Sequence, residues 1–345
     1  MTDAEQDGRE ASRAAGLLYV NDRKPGIRRL RRGRGFGYIA PDGSAVRESA
    51  ELARIRALAI PPAYRDVWIC PSPRGHIQAS ARDDRGRKQY KYHAEWTLVR
   101  DAAKFDRMLS FAKSLPALRK RVARDLRKRG LGKERVVAAV VRLLEDTLIR
   151  VGNEEYARAN KSFGLTTLRT KHVVAKSDTL HFRFRGKSGR FHEISVADSR
   201  LAAIVRRCAE LPGQELFQYE DETGTAVPIE SQDVNDYLRS ATAAEFSAKD
   251  VRTWHATVLC LDILRRCESA PDANDARRIQ AAAVEHVAKI LGNTAAVCRK
   301  CYIHPLVFSW HEDGSIARRV RTPRRALSGL SAIETAAIRA FQRAA

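Results

Sequence analysis

The hydrophobic pattern changes character once along the chain. From Leu18 to about Trp96, β-branched and aromatic residues come in short runs cut by turn signals: GFGYIA runs into Pro41-Asp42-Gly43, and VWIC runs into Pro71. Such text predicts strands, with one helix over 49–58. After about Thr97 the apolar residues recur at helical spacing, predicting helices over 101–115, 118–128, 133–150, 196–211, 231–242, 248–267, 275–291 and 331–343. One island interrupts them: residues 179–184 and 190–196 alternate around Gly186-Lys187-Ser188-Gly189, which reads as a β-hairpin with a four-residue turn. Residues 1–17 are polar, begin acidic and carry no sustained apolar period, so a loose, flexible N-terminal tail is expected there. The pattern as a whole predicts an α+β protein: a small strand-rich domain over 18–97 and a larger, mainly helical domain over 98–345 that carries the hairpin.

Length supports that division, because 345 residues exceed the usual size of one domain. Charge changes the picture more. Lys and Arg number 63 against 41 Asp and Glu, a net charge of +22, which calls for a polyanionic partner. No apolar run reaches the roughly 18–20 residues of a membrane span, and the N-terminus lacks a basic-then-apolar signal. Nucleic acid is therefore the expected partner, with no membrane, and a cytoplasmic, nucleoid-associated location follows. Six scattered cysteines fit reduced thiols better than a disulfide framework. Only Cys298 and Cys301 form a C-x-x-C pair; Cys260 and Cys267 have the wrong spacing to complete a zinc site, so no metal is expected. Acidic pairs such as Asp83-Asp84 and Glu154-Glu155 do not repeat with His at metal-ligand spacing, which gives a two-metal nuclease little support.

Several positions have the chemistry to meet a phosphate. Arg150 follows the apolar helix RVVAAVVRLLEDTLI and precedes Gly152, a residue type that ends helices. A guanidinium at the edge of a core needs a partner, and a carboxylate or a phosphate would serve equally. Arg252 falls in the first turn of a helix entered through Ser247-Ala248-Lys249-Asp250, a capping-box pattern, where free N–H groups and the dipole favour an anion. Lys187 sits at the hairpin tip; Gly186-Lys187-Ser188 imitates the end of a P-loop, but His181 stands where the earlier glycine is required. Tyr302 closes the segment that begins at Asn293, and cations beside it would favour its phenolate. Arg87-Lys88-Gln89-Tyr90-Lys91-Tyr92-His93 interleaves cations and aromatics, as a DNA contact or as an ordinary edge strand. The Arg- and Gly-dense stretch from Arg28 to Gly37 reads as a phosphate-tracking loop or a solvated one.

The order of these signals is more specific than any one of them: Arg150, Lys187 on a hairpin, Arg252 in Lys249-Asp250-Val251-Arg252-Thr253, Leu291-Gly292-Asn293-Thr294, then Tyr302. It resembles the small type IB DNA topoisomerases of poxviruses and bacteria, and is most similar to the Deinococcus-type bacterial form. Gln89-Tyr90-Lys91-Tyr92 matches the N-terminal DNA-contacting motif, and the segment from Gly164 to His172, which holds Lys171, matches the stretch after the first arginine. The resemblance implies that Tyr302 attacks the phosphodiester and becomes joined to the 3′ phosphate, while Arg150 and Arg252 neutralise the transition state and Lys187 protonates the departing 5′ oxygen. It also implies two lobes forming a clamp round duplex DNA, contacts through Gln89, Tyr90, Lys91, Tyr92 and Lys171, and a monomer with no obligatory protein partner. No cofactor is expected: arginines supply the electrostatic stabilisation, and the phosphotyrosyl ester conserves the energy of the broken bond.

Asn293 departs from the wider family, which usually has His there. Both donate hydrogen bonds, but only His also carries a proton near neutral pH, so donation is the role open to Asn293. Nine residues of straight helix would hold Asn293 roughly 13 Å from Tyr302, so a bend is expected between them. The nearest rival reading is a tyrosine recombinase or integrase, which usually has His three residues before the second arginine; that position is Lys249. A non-catalytic DNA-binding protein would account for the charge alone.

Overall fold

The computed structural model describes residues 3–33, 35–84, 86–267 and 272–344. The chain forms two compact units, residues 1–106 and 107–345.

In the first unit, α1 (Asp3–Ala14) precedes β1 (Ile27–Arg32), β2 (Gly35–Ile39), α2 (Ser49–Ala57), β3 (Arg65–Ile69), β4 (Ile77–Arg82) and β5 (Lys88–Tyr92). The five strands make one antiparallel sheet in the order β2-β1-β3-β4-β5. Alternation along the strands puts Ile27, Val67, Ile69, Ala79 and Ala81 on one face, where Ile55 of α2 closes the core. The residues expected to be a loose tail instead form α1. Its end is fixed by Ser12 and Leu17, both buried, and by Leu18, which exchanges backbone hydrogen bonds of 2.8 Å with Arg74 and His76. The Arg- and Gly-rich stretch expected to be a loop is the β1–β2 hairpin, apart from Arg34, which lies outside the described residues. Arg29 makes it structural, donating to the carbonyls of Ile60, Pro61 and Tyr64.

A single helix, α3 (Ala94–Asp125), runs where two were expected and contains the expected domain boundary at 97/98; the division between units falls within it. Pro116 removes one backbone donor but does not end it. Buried Phe111, Ala112, Leu115 and Leu118 on either side hold one continuous apolar stripe.

The second unit continues with α4 (Lys133–Thr147), α5 (Glu154–Asn160), β6 (Val173–Ala175), β7 (Thr179–Arg185), β8 (Phe191–Ala197), α6 (Ser199–Ala209), β9 (Gln218–Glu220), β10 (Ala226–Pro228), α7 (Ser231–Thr242), α8 (Ala248–Arg266), α9 (Ala273–Leu291), α10 (Ala295–Cys301), α11 (Pro305–Glu312), α12 (Ile316–Arg319) and α13 (Ala332–Gln342). Strands β6, β7 and β8 form an antiparallel sheet, and β7–β8 is the expected hairpin, with Phe182 facing Ile194 and Arg185 facing Phe191. At its centre lie α4, buried from Val136 to Val141, and α8, whose Trp254 is fully buried. The α+β class expected from the pattern is the one the chain adopts.

Among the described residues no helix is long and apolar enough to cross a membrane, and no group of three or more His, Cys, Asp or Glu is placed to hold a metal ion. All six cysteines are free thiols.

Candidate active site

The site is assembled on α8. Asp250 takes the Ser247 N–H at 2.8 Å and so completes one half of the expected capping box, starting the helix at Ala248, four residues before Arg252. Arg252 is buried, and two backbone carbonyls fix its fork: Nε donates to Leu148 at 2.8 Å and Nη2 to Leu291 at 2.6 Å. Nη1 is left to meet the hydroxyl of Tyr302 at 3.1 Å.

The Leu148 carbonyl points at Arg252 because α4 stops earlier than expected. Leu148 takes a left-handed conformation (φ 55°) that ends the helix, and Arg150 then lies beyond it, outside any helix or strand. Gly152 does not end the helix; it lets two backbones cross. A Cβ on Gly164 would lie 2.6 Å from the Gly152 nitrogen, and the Leu165 N–H bonds the Arg150 carbonyl at 2.8 Å.

From this crossing Arg150 reaches the turn between α9 and α10. Gly292 (φ +62°) ends α9 in the conformation that glycine accepts most readily, and Thr294 caps α10 by accepting from the Val297 N–H. This break is the bend the sequence required between Asn293 and Tyr302. Arg150 donates to the Gly292 carbonyl at 3.2 Å and to the Asn293 side-chain oxygen. Among the described residues the buried Asn293 Nδ2 has no hydrogen-bond partner, which makes it a donor available to a ligand. Tyr302 follows α10, and Thr257 of α8 bonds its carbonyl at 3.0 Å. One helix therefore holds the hydroxyl of Tyr302 through Arg252 and its backbone through Thr257.

Arg150, Lys187, Arg252 and Tyr302 all line one cavity of about 590 Å³, with Asn153, Tyr156 and Lys249 among its other walls. Lys187 is exposed on the hairpin turn, its ammonium 5.9 Å from the centre of the Tyr156 ring. Among the described residues neither Arg150 nor Arg252 pairs with a carboxylate; their partners are carbonyls, an amide and a phenol. Burial therefore lowers both guanidinium pKa values, Arg252 to about 10, and both remain cationic at neutral pH. One buried and one half-buried cation lining the same cavity, answered only by neutral groups among the described residues, form a site for an anion.

The sequence-based site residues divide in two. Arg150, Lys187, Arg252, Asn293 and Tyr302 converge. Lys171 does not line the cavity; it lies on an exposed single turn, Thr170–His172. Gln89, Tyr90, Lys91 and Tyr92 occupy the edge strand β5 of the first unit, where Tyr90 and Tyr92 stack at 5.9 Å and are about 40 % exposed. Sequence reasoning missed Tyr156, Thr257 and His192, whose ring lies against Gly292 beside Asn293, as parts of the site and noted Lys249 only as a pattern match. Lys249 had a signal, one helical turn before Arg252; buried Thr257 and His192 had none.

Comparison with known proteins shows the family of the chain. Residues 88–313 match the family described as Eukaryotic DNA topoisomerase I, catalytic core, and residues 35–83 match Bacterial DNA topoisomerase IB, N-terminal domain. The chain is 32 % identical over 285 residues to DNA topoisomerase 1B of Acanthamoeba polyphaga mimivirus, covering 81 % of this chain and 85 % of that protein. It is 21 % identical over 236 residues to DNA topoisomerase 1B of vaccinia virus (strain Copenhagen), covering 67 % and 71 %. Among solved structures, the XerH site-specific recombinase bound to difH in a pre-cleavage complex aligns at 13 % identity and a TM-score of 0.34, over 56 % of this chain and 49 % of that one.

Proposed function

Because the chain belongs to the type IB DNA topoisomerases, enzymes that relax supercoiled duplex DNA by cutting and rejoining one strand, we propose that Tyr302 is its nucleophile and that Arg150, Arg252, Asn293 and Lys187 complete the catalytic set. The observation that carries the assignment is the pair of carboxylate-free guanidiniums, one of them 3.1 Å from the Tyr302 hydroxyl.

In the proposed step the Tyr302 oxygen forms a bond to phosphorus as the bond to the 5′ oxygen breaks. The phenolic proton leaves to solvent, and the 5′ oxygen takes a proton from the Lys187 ammonium. Arg150 and Arg252 meet the charge on the nonbridging oxygens, and the free Asn293 Nδ2 donates a further hydrogen bond. Religation is the same step reversed, with the 5′ hydroxyl as the attacker, so the energy of the broken bond is kept in the phosphotyrosyl ester.

The proposal includes a monomer that contacts DNA through Gln89, Tyr90, Lys91 and Tyr92 of the first unit and Lys171 of the second. A recombinase is the weaker reading because Lys249 fills the position where that class usually carries His. Supercoiled plasmid incubated with the protein in excess chelator and without nucleotide is expected to relax in steps. Complete inhibition by chelator, reversed by Mg²⁺, would contradict the charge-stabilisation argument.

A further inference from the structure

We infer that His192 is a positioning residue whose ring spaces the turn bearing Lys187 from the turn bearing Asn293, keeping the two sides of the reacting phosphate in register. The inference rests on the reading of Lys187 as the acid.

His192 lies on β8 opposite Phe184 of β7, and the two rings stack at 5.0 Å with 9° between their planes. Stacking fixes the imidazole plane and sends its outer edge into a slot between two glycine backbones. Gly186 opens the turn, and a Cβ there would lie 2.6 Å from the imidazole Nε2. Gly292 ends α9, and a Cβ there would lie 2.7 Å from the same nitrogen. Both distances are too short for real atoms, so both positions lack a side chain where the ring needs the room.

The two glycines belong to opposite sides of the proposed chemistry. Gly186 immediately precedes Lys187, and the turn is closed by the Gly186 N–H to the Arg190 carbonyl at 2.7 Å. Gly292 immediately precedes Asn293, and its carbonyl holds Arg150 at 3.2 Å. A single buried ring thus connects the acid's turn to the groups that face the nonbridging oxygens. Removing it leaves each element folded but frees the spacing between them. Burial and the nearby arginines 150, 252 and 190 lower the imidazole pKa, which suits a ring that contributes shape and not a fourth cation.

The test compares single-turnover cleavage of a duplex oligonucleotide carrying an ordinary phosphodiester or a 5′-bridging phosphorothiolate, with duplex affinity measured alongside. Lys187→Ala is expected to be slow on oxygen and to regain most of its rate on sulfur, because a thiolate leaves without a proton. His192→Ala and Gly186→Ala are expected to lose about 10²-fold on oxygen, the scale of a misplacement near 1 Å, to bind duplex as the parent does, and to regain most of the loss on sulfur. A purely structural role would slow both substrates alike. Equal loss on both in His192→Ala, with Lys187→Ala rescued, overturns the inference and leaves the acid in place; no rescue in Lys187→Ala overturns both. If His192→Ala does not fold, Gly186→Ala, which keeps the ring and adds one methyl against it, decides by the same comparison.

Discussion

Asn293 is held by its oxygen and free at its nitrogen. Arg150 bonds the side-chain oxygen, and Nδ2 remains buried and unpartnered. An amide oriented in this way can donate an N–H to a phosphoryl oxygen without giving up a proton. Asn293→Ala is therefore expected to slow cleavage by about 10²–10³-fold, the usual scale for one oxyanion donor, while Asn293→His, which also donates, retains activity. Single-turnover cleavage checks both; a harmless Ala would remove Asn293 from the phosphate. At this scale the sequence was informative because the order of Arg150, Lys187, Arg252, Asn293 and Tyr302 is a motif. It was silent on residues that act by contact alone. Thr257 bonds the Tyr302 carbonyl from more than one turn along α8, and His192 fills a slot between glycines far apart in sequence; neither relation leaves a periodic or compositional trace.

Elements were legible where an apolar stripe ran on and less so where tertiary contacts decided an end. The stripes of α7, α8 and α9 fell close to their expected spans. Thr147 ends α4 three residues before the expected end because Leu148 turns left-handed and its carbonyl meets Arg252, a partner 104 residues away that no local pattern names. The end of α9 at Leu291 fell where the stripe stopped, but the short α10 that completes the bend after it was not expected.

The last helix, α13, has a role that composition did not suggest. Its Glu334 bonds Arg119 of α3 at 2.8 and 2.9 Å and lies 3.4 Å from the Trp254 indole nitrogen of α8. Burial alone would raise the Glu334 pKa, but Arg119 and the Ser331 N–H outweigh it and hold the carboxyl at about 2, against 4.5 ordinarily. A carboxylate depressed on folding adds stability above its unfolded pKa and loses it as pH falls towards the folded one. Thermal unfolding should thus become easier as pH drops from about 4.5 towards 2, by up to about 3 kcal/mol from this group. Glu334→Gln should be less stable at neutral pH and flatter across that window. An unchanged pH profile in Glu334→Gln would show that the Arg119 pair does not hold α13.

At the scale of the molecule, the division into a strand-rich and a helical part was visible as a change of hydrophobic period, although the boundary fell inside α3, where no turn marks it. The net charge of +22 announced a polyanion, and the proposed function sets the second unit's cavity to turn that general attraction into chemistry at one phosphate. The central claim is that this phosphate becomes covalently joined to Tyr302, and peptide mapping of trapped adducts tests it most directly. Parent protein mixed with a duplex that loses its 5′ fragment after cleavage, then denatured, should yield one DNA-linked peptide containing Tyr302. Tyr302→Phe should yield none while binding the same duplex with the parent's affinity. An adduct on another residue, or an adduct persisting in Tyr302→Phe, would contradict the account.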